Sequence, residues 1–163
     1  MKKRIVITAA ILMAWCGIGA FGWGIGIEGG LPIPGLGGLP GSNAMVTAKF
    51  DGLPLLGVGL GFNDRGLNNL GVIADWWLIQ EPFAGLLGVY LGPGLWVSLV
   101  TSSQAQLALG GRLPIGLQIF PLKWFELFIE IAPAAGVVFY NNTARFDWHL
   151  QAAAGLRFWF NKK

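Results

Sequence analysis

Few side chains in this chain of 163 residues could carry chemistry, and their spacing limits what that chemistry could be. There is one histidine, His149, and one cysteine, Cys16. A single cysteine closes no internal disulfide and builds no thiolate cluster. One histidine among scattered carboxylates lacks the spacing of zinc ligands, so no metal site is expected. Asp147 and Gln151 stand two residues either side of His149, which in an extended strand puts all three side chains on one face. That arrangement suits a hydrogen-bonding histidine, and no catalytic residue is assigned. The glycine runs at 35–41 and 57–61 are not followed by Lys-Ser/Thr and open no helix, as a phosphate-cradling loop would require. They read as a flexible loop and a thinned strand, and no cofactor is expected.

The remaining candidates are charged: Arg112, Glu126, Glu130 and Arg157, with Asp75 and Glu28 as outlying members. Their meaning depends on what surrounds them. Charged residues make up 12% of the chain and hydrophobic ones 54%, where a soluble domain carries about a quarter charged. The formal charge of +3 is concentrated at the start, where Lys2, Lys3 and Arg4 precede an apolar run over 5–16 and the small residues Gly17, Gly19, Ala20 and Gly22. This is the order of a secretory signal peptide. Residues 1–22 are expected to be removed, leaving a mature domain over 23–163. Without those three cations, eight Lys and Arg face eight Asp and Glu. A neutral protein has no cationic surplus for nucleic acid. Cys16 falls within the leader, and the bulky Trp15 before it argues against lipidation.

The longest uncharged stretch, 82–111, could span a bilayer as a helix of about 20 residues. However, it contains Gly85, Gly88, Gly92, Pro93 and Gly94, which are costly in a helix interior. The side-chain period decides the matter. Over 146–160, Phe146, Trp148, Leu150, Leu156, Phe158 and Phe160 occupy even positions, while Asp147, His149, Gln151 and Arg157 occupy odd ones. Over 125–140, Leu127, Ile129, Ile131 and Val137 alternate with Glu126, Phe128 and Glu130; over 104–119, Leu107, Leu109 and Leu113 alternate with Gln106 and Arg112. A period of two marks strands whose faces meet different surroundings. The same rule gives strands over 87–99, 69–79, 55–62, 44–51 and, more weakly, 23–31. Eight strands result.

The turns between them fall at 32–43, 63–68, 101–103 and 141–145 at one end, and at 51–54, 80–84 and 120–124 at the other, with the termini. Aromatics gather near both ends: Trp23, Phe50, Trp76, Trp77, Phe83, Phe120, Trp124, Phe125, Phe158 and Phe160 at the terminal end, and Phe62, Phe139, Phe146 and Trp148 at the other. Two such belts suit a barrel that spans a bilayer. The expected fold is therefore all-β, an eight-stranded antiparallel up-and-down transmembrane β-barrel. The competing fold is a soluble lipocalin-like barrel, in which Leu107, Ile129 and Leu156 would turn inward.

With this pattern, short loops and the closing segment LQAAAGLRFWF at 150–160, the chain resembles the small eight-stranded outer-membrane barrels. The OmpA transmembrane domain and OmpX are the familiar examples, and the short Gly-rich barrels of spirochaete outer membranes are closer in character. The closing segment looks like the C-terminal signal read by barrel-assembly machinery, although Asn161, Lys162 and Lys163 follow the final aromatic. The resemblance implies location in a Gram-negative-type or spirochaete outer membrane at the cell surface. It also implies contact with outer-membrane lipid and with the assembly machinery, and no catalysis. An extracellular partner would have only the external loops to hold, of which 32–43 alone is long. In an interior wide enough only for side chains, Arg112, Glu126, Glu130, Arg157, Asp75 and Glu28 form a salt-bridged plug that does not conduct. The alternative use of such a barrel is a lipid-modifying enzyme or a binder of small hydrophobic ligands.

Overall fold

The computed structural model describes residues 22–31, 33, 39–63, 66–100, 105–141 and 143–160. Nearly all of the expected leader lies outside the described residues. The strands are β1 (Trp23–Gly30), β2 (Ala44–Phe50), β3 (Leu55–Asn63), β4 (Gly66–Asp75), β5 (Ile79–Ala84), β6 (Leu87–Leu91), β7 (Gly94–Val100), β8 (Gln106–Arg112), β9 (Ile115–Leu122), β10 (Phe125–Tyr140) and β11 (Thr143–Phe160). Eleven segments make eight walls. β4 with β5, β6 with β7, and β8 with β9 are single strands interrupted at 76–78, 92–93 and 113–114. All pairings are antiparallel, and β1 closes the barrel on β11 from Trp23 opposite Phe160 to Gly30 opposite Ala153.

The stagger of the barrel can be counted from the pairings. From Glu28 the registered partners are Met45, Gly59, Gly71, Ser98, Ala108, Val138 and finally Arg145 on β11. Glu28 also pairs directly with Gly155, ten residues further along. A shear of ten across eight strands, with about 3.3 Å per residue and about 4.8 Å between strands, tilts the strands roughly 40° from the axis. Such a barrel has room inside for side chains only.

Alternation puts the two parities on opposite faces. Outward residues such as Ile27, Val58, Leu95, Leu107 and Ile129 are exposed, while Thr47, Ile73, Asp75, Tyr90, Gln118, Glu126 and Arg157 are almost wholly buried. Leu107 and Ile129 thus point away from the interior, opposite to the lipocalin-like arrangement. The interior glycines are needed for close approach. A Cβ at Gly116 would collide with the Tyr90 ring, one at Gly155 with Phe128, and one at Gly57 with Ile73.

The three interruptions lie side by side and form a crease. Trp76 N donates to Pro93 O at 2.9 Å, Gly92 N to Pro114 O at 3.4 Å, and Leu113 N to Pro133 O at 2.9 Å. Proline removes a ladder donor, and here Pro93 and Pro114 sit at two of the interruptions, with Pro133 opposite them on β10. Beyond the crease, β5, β6 and β9 extend as a flap at the terminal end. The expected turns at 80–84 and 120–124 are therefore shorter: the chain stays in strands through Ala84 and Leu122 and turns at Gly85–Leu86 and Lys123–Trp124. β5 is the only described strand with a single neighbour, β6.

At the terminal end Trp77 shares the height of the aromatic belt but faces the lumen, as its parity with Asp75 requires, and stacks on Tyr90. One expectation from the sequence changes at the other end. Of the 35–41 loop, 35–38 lies outside the described residues, and Leu39 is buried among Met45, Ile73 and Trp96. Gly59, Gly61 and Gly71 make room for this inward turn, since a Cβ at Gly71 would strike Pro40 O and one at Gly59 would strike Ser42.

Candidate functional site

The barrel brings its interior charges into two groups at different heights. Nearer the terminal end, Glu126 on β10 is opposite Arg157 on β11 in the ladder. Arg157 Nη1 donates to Glu126 Oε1 at 2.8 Å, Gln118 Nε2 on β9 donates to the same oxygen at 2.8 Å, and Trp159 Nε1 donates to Oε2. The Arg157 guanidinium lies 4.7 Å from the centre of the Phe128 ring, 4.9 Å from Trp77 and 5.9 Å from Trp159. A weakly hydrated, delocalised cation against aromatic faces gains cation–π attraction where water is excluded. Trp77 in turn stacks on Tyr90 at 4.1 Å. Lys49, on the Trp77 side, donates to Phe50 O and Leu53 O at 2.8 Å each, tying the β2–β3 turn to the lumen.

The second group stands on the crease. Asp75 ends β4, Arg112 ends β8, and Gly94 at the start of β7 pairs with both. Gly94 is required there, because a Cβ would meet the Asp75 carboxylate. Arg112 Nη2 is hydrogen-bonded to Glu130 Oε1, its Nε lies 3.4 Å from Asp75 Oδ1, and Tyr90 Oη donates to Glu130 Oε2 at 2.7 Å. This group is less fully hydrogen-bonded. Arg112 Nε and Nη1, both Asp75 carboxylate oxygens and Glu28 Oε1 are buried without a hydrogen bond. Glu28 sits beside this group on β1. Among the described residues the buried carboxylates are Glu28, Asp75, Glu126 and Glu130, and the buried cations are Lys49, Arg112 and Arg157. The acids exceed the bases by one.

All six charges singled out from the sequence therefore line one interior, but they divide into the pair Glu126–Arg157 and the triad Asp75–Arg112–Glu130, with Glu28 outside both sets of ion pairs. Parity and height along the strands bring Arg112 to Glu130 and Glu126 to Arg157. Neither reveals Gln118, Trp159 and Tyr90 as hydrogen-bond partners, or Trp77 as a wall of the Arg157 cage. The alternation of Gln118 and Tyr90 onto the interior face was the available signal.

His149 lies at the opposite mouth. Its Nδ1 is 3.4 Å from Asp147 Oδ2, its Nε2 is 2.9 Å from Gln151 Nε2, and its ring meets Trp96 edge-on at 5.7 Å. Ser98 lines the same cavity of about 270 Å³. In a nucleophilic relay the nitrogen distal to the carboxylate faces the hydroxyl; here it faces Gln151. Among the described residues no group of three or more His, Cys, Asp or Glu is arranged to hold a metal ion. Compared with known proteins, the chain matches no family model, no curated protein and no solved structure.

Proposed function

We propose that this chain is an integral outer-membrane barrel with a structural or surface-interaction role and no catalytic one. Its lumen is closed by its own side chains. One observation carries the reading: the barrel is apolar outside and charged inside. Ile129 is 54% exposed, whereas Arg157 and Glu126 are inaccessible. In water that arrangement exposes a belt far larger than the patches soluble monomers tolerate; in lipid it is the expected one. The outer rims support it. Trp23 stacks on Phe160 at 4.3 Å and on Phe50 at 6.4 Å, and Trp124 stacks on Phe158 at 5.9 Å. At the other end Phe62, Phe139, Phe146 and Trp148 are exposed. The free edge of β5 fits the same placement. Hydrocarbon does not accept unpaired strand edges, so the free edge of β5 belongs in the aqueous phase, where Glu81 and Pro82 guard it against another strand.

The membrane reading is tested by folding the protein into phosphatidylcholine vesicles and titrating with urea. Ile129→Arg should destabilise it by about 2–4 kcal/mol, and Ala153→Ser on the inner face by clearly less. Equal losses would overturn the assignment of faces to lipid and lumen. In a planar bilayer the wild-type protein should carry no steady current, and stable open steps would sink the closed lumen.

A further inference from the structure

The outer face is not uniformly convex. After β1 the chain leaves the ladder with Leu31 N donating to Ala152 O at 2.9 Å, and Ile33 N turns back to Leu31 O at 2.8 Å. Leu31 and Ile33 form one wall of a groove of about 410 Å³, whose floor is Ile131, Ile129, Ile115 and Leu117, with Val89 at its far end. Ala152, on the outward parity of β11, is only 1% exposed, because this wall covers it. Apart from Gly116 and the edge of Glu130, every lining residue is aliphatic or alanine. The groove crosses from β11 over β10 and β9 to β6, three strand spacings or about 14 Å, obliquely to the barrel axis.

We propose that this groove holds one acyl chain of a membrane glycerolipid in a fixed position, as a binding site distinct from the rest of the apolar belt. The occupant follows from the lining. The groove is continuous with the exposed aliphatic belt, offers no exposed cation for a headgroup, and is long and narrow. Within a bilayer no hydrophobic gain distinguishes one apolar surface from another, so selection rests on van der Waals contact. A concave wall gives a chain neighbours on two sides where a convex one gives them on one side only. The proposal rests on the membrane reading given above.

The experiment uses the full protein in phosphatidylcholine vesicles containing a phosphatidylcholine whose acyl chain carries a photoactivatable diazirine, with labelled residues mapped by mass spectrometry. Labelling at Ile115, Ile131 and Ile33 should exceed that at the more exposed Leu95 and Val58 by about fourfold, which half a dozen extra carbon contacts would supply. Ile33→Gly, at a position outside the ladder, should remove the excess without unfolding the barrel. Even labelling of all five positions overturns the groove site but leaves the membrane reading standing. Absence of label from all of them overturns both. Persistence of the excess in Ile33→Gly also overturns the site, since its wall would then be irrelevant.

Discussion

The two charged groups inside the barrel have the same residue types and similar burial, yet they are finished differently. Around Glu126, three donors from two strands converge on one carboxylate, and the paired Arg157 is enclosed by aromatic rings. Around Arg112, the ion pairs exist, but several donors and acceptors stay unmet. The difference follows from the backbone. On one side of the first group β10 and β11 run unbroken, so the register puts Arg157 opposite Glu126, while on the other side the β9–β10 register slips at Glu126 and Gln118 reaches it from there. The second lies on the crease, where three neighbouring walls break and the ladder no longer fixes height. The pair is held by the unbroken β10–β11 ladder, with only Arg157 Nε left unbonded, whereas the triad on the crease keeps more of its polar atoms without partners.

This contrast can be broken by substitution, and the largest effect is expected at the regular site. Glu126→Ala strands Arg157 without its carboxylate in a dry interior, and breaking a buried pair costs about 3–5 kcal/mol. Urea unfolding in vesicles should show that loss; a loss under about 1 kcal/mol would mean that water reaches Arg157. Gly94→Ala should act at the crease alone, by driving the Asp75 carboxylate off its position, at about 1–3 kcal/mol. A neutral Gly94→Ala would show that the crease can move aside. The smallest effect is expected for Glu28→Gln, which replaces an acid that stands outside both sets of ion pairs and has an unbonded oxygen. Stability should change by less than about 1 kcal/mol and towards a gain. A loss matching that of Glu126→Ala would mean that Glu28 has a partner as firm as Arg157.

Much of this interior is legible in the sequence because a barrel wall with unlike surroundings on its two sides writes a period of two into every strand. That period survives across Gly92–Pro93 and Leu113–Pro114, so eight walls can be read although the ladder breaks three of them. Burial of Arg112, Glu126, Glu130 and Arg157 on one face follows from parity alone. The breaks themselves are harder to see, since Pro93, Pro114 and Pro133 stand far apart in the chain and become neighbours only after pairing. Leu39 is harder still. A Gly- and Pro-rich loop carries no period, and its inward turn is signalled only indirectly by Gly59, Gly61 and Gly71, whose missing side chains leave space that a sequence cannot show to be filled. The pair Trp76–Trp77 was decidable: alternation allows only one of two adjacent residues to face outward.

Closure through β1 and β11 has a kinetic consequence. The hairpins β2–β3 and β10–β11 join residues near each other in the chain and can form early. The seam from Trp23 opposite Phe160 to Gly30 opposite Ala153 joins nearly the most distant parts of the described chain, and such contacts carry the largest loop-closure cost and form slowly. Until that seam zips, two long edges stand open, and Glu28 and Arg157 on either side of it have not yet entered a common interior. Assembly of the lumen and sealing of the wall are therefore one event, and the rate of that event should respond to substitutions along the seam more than to those in any hairpin.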